Sequence, residues 1–130
     1  MLDWRTLAAI ALGGGFGSVL RYVVGFAITQ RLGPGFPWGT FVINVTGSLI
    51  IGLVAELSAT RALGITPLVR VFLMVGVLGG YTTFSAFSLD MVTLVGDRAA
   101  GLALLYGFGS LACGFVAAFA GIALVRALQP

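Results

Sequence analysis

Histidine and lysine are absent from this 130-residue chain, and cysteine occurs once, at Cys113. Without histidine no nucleophile–base pair or metal-ligand cluster of the usual enzymatic kind can be assembled, so an enzyme is not expected. A lone cysteine forms neither an intramolecular disulfide nor a cysteine metal centre, and Cys113 reads as inert packing. Charge is scarce too. Charged residues make up 8% of the chain, against ~25% in an ordinary soluble domain. The seven basic residues are all arginine, the acids are Asp3, Glu56, Asp90 and Asp97, and a net charge of +3 is too thinly spread for a nucleic-acid surface. What the chain has instead is apolar bulk: 59% of its residues are hydrophobic. It reads as a membrane protein.

A hydrocarbon core of ~30 Å takes roughly 20 apolar residues per helix. Four such segments fit, about 7–28, 38–59, 68–95 and 99–125, joined by short turns at 31–37, 60–67 and 96–98. They are far too long for barrel strands, and backbone groups in lipid must be satisfied within their own segment. The expected fold is therefore an all-α membrane protein, one four-helix transmembrane domain over residues 1–130. The apolar run after Arg5 is kept as a mature helix, since Asp3 offsets that charge and no clear small-residue cleavage site follows. A bundle this small has little interior, so a solute path is expected to be shared between subunits, which implies an oligomer.

Polar residues inside the spans carry the functional signal. In the first span Gly13, Gly17, Arg21 and Gly25 recur every four residues along one face. Gly13 and Gly17 form a small-xxx-small pair for close helix approach. Arg21 is costly in lipid, so it faces protein or a wet vestibule, or snorkels to the nearer interface. In the second span Thr40, Asn44 and Ser48 form a polar stripe at the same spacing. A buried Asn44 carboxamide must be satisfied by another helix or by a permeating solute. In the fourth span Gly107, Gly114 and Gly121 repeat every seven residues, a seam for close left-handed packing, with Tyr106 and Ser110 as hydroxyls that either pack or line a path.

The third span is longest, and at its centre stands GGYTTFSAFS, residues 79–88. Gly79 and Gly80 are poor helix formers, and Thr82 and Thr83 offer the backbone other partners, so a helix break is expected over 79–83. Unwound backbone survives in a membrane only inside protein or beside a wet cavity, where freed carbonyls suit a small hard cation. Beyond the break Phe84 and Phe87 share one helix face, with Ser85 and Ser88 as a neighbouring hydroxyl row. The positive edge of a phenyl ring stabilises an anion weakly, which suits conduction because the ion must leave each site it enters.

Gly13 to Tyr22 (GGGFGSVLRY), Gly39 to Gly47 (GTFVINVTG) and Gly79 to Ser88, in this order, resemble the CrcB/Fluc family of fluoride channels over nearly the whole chain. The resemblance implies an antiparallel, dual-topology homodimer whose third helix breaks at mid-membrane. It implies two fluoride pores and a structural sodium ion at the dimer centre. By the same resemblance the sodium ligands are the backbone carbonyls of Gly79 and Thr82, from both subunits. The pore phenylalanines match Phe84 and Phe87, the second-helix asparagine matches Asn44, and the fourth-helix polar track matches Tyr106 and Ser110. The next serine of that track falls on Gly114 here. Ala86 stands where many relatives have threonine, Asp90 where glutamate is frequent, and Tyr81 where an apolar residue is common. The expected fluoride pathway thus comprises Asn44, Phe84, Phe87, Ser85, Ser88, Thr40, Tyr106 and Ser110, with Arg21 and Asp90 at the vestibule.

The leading expectation is passive, fluoride-selective export that lowers cytoplasmic fluoride, by a multi-pass protein of a cell inner membrane or plasma membrane. The competing reading, a small proton-coupled multidrug exporter of four helices, needs a membrane-embedded acid, and the first span has none. A non-transporting assembly subunit would leave Asn44 and the hydroxyls without a task. Arginine placement gives only a weak orientation bias: Arg5, Arg61, Arg70 and Arg126 on one side, Arg31 and Arg98 on the other, with Arg21 if it snorkels there.

Overall fold

Chain segments this apolar satisfy their backbone polar groups internally, and the computed structural model, which describes residues 3–60 and 64–129, is all-helical. Arg61, counted in the arginine comparison, lies outside the described residues. Helix α1 (Trp4–Leu32) starts where the Asp3 carboxylate accepts the Thr6 N–H at 2.7 Å, and stops at Gly33, whose φ of 81° glycine adopts without a Cβ penalty. Helix α2 is Trp38–Ala59. The third span starts at a Thr66 cap with Pro67 in the first turn and runs through α3 (Pro67–Val71), a π-helical segment (Phe72–Leu78) and α4 (Gly79–Tyr81). After Thr82 and Thr83 it resumes as α5 (Phe84–Gly96), and a tight turn with Arg98 at φ 60° leads to α6 (Ala100–Leu128). Among the described residues, Trp4–Leu32, Trp38–Ala59, Pro67–Gly96 and Ala100–Leu128 are the four helices long and apolar enough to cross a membrane. At 29 residues each, α1 and α6 run past the expected limits of their spans.

The most extensive pairings in the bundle are between parallel spans two apart in sequence, while the antiparallel α1 and α2 meet at Gly25 and Gly39. α1 lies along the first half of the third span, with Gly13 opposite Gly76 and Gly14 opposite Gly80. α2 lies along α6, and near their ends Arg126 pairs with Glu56 at 2.8 Å while Gln129 donates to Thr60. Both seams bring backbone against backbone. A Cβ on Gly17 would overlap the Val77 carbonyl, one on Gly52 the Ala118 carbonyl, and one on Gly121 the Leu49 carbonyl. The glycine pairs of the first and fourth spans are thus contact surfaces, as small-xxx-small packing requires. Of the seven-residue repeat, Gly121 and Gly114 face α2 while Gly107 faces Met91 of α5.

Among the described residues the interior is small: Ile43, Leu78, Tyr81, Ala103, Tyr106 and Val125 are its buried hydrophobic side chains, while large apolar residues such as Phe16, Val92, Phe115 and Phe119 face outward. That outward apolar surface is what a bilayer solvates. One expectation needs correction. Gly79 to Tyr81 remain helical, and the interruption is confined to Thr82 and Thr83, both extended, with ψ of 158° and 122°. Gly80 is there for contact rather than unwinding, because a Cβ on it would overlap the Gly14 carbonyl.

Candidate functional site

At the break the backbone is handed from helix to side chain. In a continuous helix the Thr83 N–H would reach the Gly79 carbonyl and the Ala86 N–H the Thr82 carbonyl. Here the Thr83 N–H donates to Asn44 Oδ1 at 2.9 Å, and Asn44 Nδ2 donates back to the Thr83 carbonyl at 3.0 Å. The Ala86 N–H donates to Thr83 Oγ1 at 3.2 Å, which caps α5. The break frees the carbonyls of Gly79 through Thr82 from their helical donors, so Gly79 and Thr82, the two expected cation ligands, are among four freed in this way. Arg21 answers the question its position raised, since its Nη1 donates to the Thr82 carbonyl at 3.3 Å. The Tyr81 hydroxyl lies 3.0 Å from Thr46 Oγ1, tying the end of α4 to α2.

Beside the break opens a groove of about 420 Å³ between α2, α5 and α6. Asn44, Phe84, Phe87 and Ser110 of the expected pathway meet in it, together with Ser48, Thr83 and Gly114. The two rings lie 5.8 Å apart between centroids, tilted by 37°. Ser110 Oγ is shielded from solvent and has no hydrogen-bond partner, an expensive state for a buried hydroxyl unless a ligand meets it. Asn44 spends one amide N–H on Thr83 and keeps a second. Hydrogen-bond donors and ring edges without a general base can stabilise an anion weakly and perform no bond chemistry.

The remaining expected residues lie outside this groove. Tyr106 is fully buried, its hydroxyl donates to Asp90 Oδ2 at 3.0 Å, and Thr40 lies beside the same hydroxyl. Its ring joins Phe36 and Phe87 at centroid distances of 5.3 and 5.1 Å, so an aromatic file runs from the turn before α2 toward the break. Ser88 Oγ donates to the Phe84 carbonyl, and Ser85 lies 3.3 Å from Thr83 Oγ1. Arg21 and Asp90 are on separate contacts, one at the break and one between α5 and α6. Among the described residues no three His, Cys, Asp or Glu side chains converge. Sequence reasoning left Thr46 without a role, and gave Ser48 and Thr83 none in the groove itself. Ser48 was visible as the third member of the polar stripe, whereas nothing in the sequence marked Thr83 as the partner of Asn44.

Residues 8–122 match the family described as CrcB-like protein, Camphor Resistance (CrcB). The chain is 53% identical over 121 residues to the fluoride-specific ion channel FluC of Rhizobium meliloti (strain 1021), covering 92% of this chain and 94% of that relative. It is 50% identical to the FluC of Agrobacterium fabrum, over 94% of this chain and 97% of the relative. With FluC 1 of Nitrobacter hamburgensis the identity is 48%, over 98% of this chain and all of the relative.

Proposed function

This chain belongs to the CrcB-like family, and on that premise we propose that it is a fluoride-selective ion channel that lets fluoride leave the cell passively. The observation that carries the reading is the groove joining Asn44, Phe84, Phe87 and the partnerless Ser110 hydroxyl. Fluoride is small and strongly hydrated, so a path for it must replace water with donors that hold it weakly. The free Asn44 N–H, the Ser110 hydroxyl and the phenylalanine edges do this without a fixed cation to trap the ion.

The working unit is an antiparallel dual-topology homodimer in a cell inner membrane or plasma membrane, with the break at mid-depth. Its support is the weak arginine bias and the small interior of one subunit. The Gly79 and Thr82 carbonyls would hold a structural sodium ion there together with their counterparts in a second copy. Both oxygens have lost their helical donors, which fits a hard monovalent cation, and Thr82 shares its oxygen with Arg21. Such an ion supplies positive charge that offsets converging carbonyl dipoles. Arg21 supplies charge at the same end of α4, where a cation also complements the helix dipole.

A proton-coupled drug exporter is disfavoured because neither Glu56 nor Asp90, the acids within the later spans, faces the groove: Glu56 is paired with Arg126, and Asp90 accepts from Tyr106. Liposomes loaded with fluoride or chloride and containing the purified protein test the reading. Rapid fluoride efflux with little chloride efflux is expected, whereas equal fluxes, or none from folded protein, refute it.

A further inference from the structure

On the α6 side of the groove, hydrogen-bond donors end at Ser110. The next residues on that face, Gly114 and Ala118, carry no polar side chain, and their N–H groups are spent within the helix. Opposite Gly114 stands Ser48 of α2. A Cβ built on Gly114 would lie 3.5 Å from Ser48 Oγ, ordinary contact distance, so the hydroxyl occupies the space a longer side chain at 114 would enter.

Ser48 Oγ donates to the Asn44 carbonyl at 2.7 Å, one turn back along α2. That carbonyl also accepts the helical N–H of residue 48. Turning the serine proton into the groove therefore strands no buried acceptor, and back-bonding of this kind is weak to begin with. The hydroxyl can be lent to a passing anion and returned.

Resting on the channel reading, we infer that Ser48 is a fluoride-contact residue that carries the hydroxyl path from Ser110 on α6 across to α2. It does the work that a hydroxyl at position 114 would otherwise do. The ligand class is a small, hard, hydrogen-bond-accepting anion.

Fluoride efflux from liposomes tests this with a swap. Ser48→Ala is expected to lower flux by about tenfold, the scale of one lost hydrogen bond in a binding or barrier step. Adding Gly114→Ser to that variant is expected to bring flux back to within about twofold of wild type. Adding Gly114→Ala instead should not, since it fills the groove without a donor. Wild-type flux from Ser48→Ala, failure of the serine swap, or equal rescue by alanine each overturns the role. If Ser48→Ala is not recovered folded, Ser48→Cys keeps the volume with a weaker donor. A several-fold drop is expected there, and undiminished flux overturns the role. Wild-type protein is run alongside: normal selective flux with an indifferent Ser48 removes only this role, whereas wild type without selective flux removes the channel reading as well.

Discussion

The two halves of the third span differ in how they are held. Before the break, Gly76, Leu78 and Tyr81 are buried, Gly80 lies on the backbone of α1, and the Tyr81 hydroxyl reaches Thr46. After it, α5 buries none of its residues, and Phe84 is 78% exposed. The first half is fixed on two sides and so can hold carbonyls in one geometry. The second touches α6 through Asp90 on Tyr106 and Met91 on Gly107, and leaves its rings facing the groove. A path for a mobile anion needs the latter condition. Between them Asn44 splints the break by pairing with both polar groups of Thr83.

The strongest challenge to this contrast is to wedge the fixed half apart. Gly17→Ala directs a Cβ into the Val77 carbonyl and should cost about 3 kcal/mol or more, read as lost thermal stability in detergent. Gly96→Ala at the end of α5 meets nothing within 4 Å and should be neutral or slightly stabilising. Equal effects at the two glycines would erase the distinction. Next in size is Asn44→Leu, which leaves the Thr83 N–H unpaired at about 1–3 kcal/mol, takes the second donor from a carbonyl that also caps α5, and should abolish fluoride flux. Flux surviving a measured loss of stability would reduce Asn44 to a splint. Smaller in stability but large in function is Phe84→Ala: a ring this exposed should lower thermal stability by less than about 1 kcal/mol while cutting fluoride efflux severalfold. A stability loss as large as that of Gly17→Ala would place Phe84 in the anchored class. Narrowest in reach is Thr83→Ala, which removes the cap on α5 at about 1 kcal/mol and should fray the loose half alone, visible as faster amide exchange at the start of α5.

Much of this was legible beforehand for identifiable reasons. Span number followed from apolar run length, and the seams at Gly13, Gly17 and Gly121 followed from spacing, because a side chain's absence matters only where another backbone approaches. Asn44 was flagged because a buried amide must have partners, but whether helix or solute supplied them was open, and the answer includes the Thr83 backbone. The glycine pair misled. Low helix propensity pointed to unwinding at Gly79 and Gly80, yet tertiary contact with Gly14 keeps them helical and moves the break to the threonines. The π-helical turn over Phe72–Leu78 left no mark in a sequence of ordinary apolar residues.

The sequence alone determined that the chain is helical and apolar outside, where glycine would let helices touch, and which few polar side chains would be costly unless used. These are local consequences of composition and spacing. Only the tertiary structure decided that helices two apart in sequence pair in parallel, that Arg21 and Asn44 come from different helices to one break, and that Ser48 faces Gly114. Each depends on the register between helices, which is set by the sum of many backbone contacts along a seam and is written in no single segment.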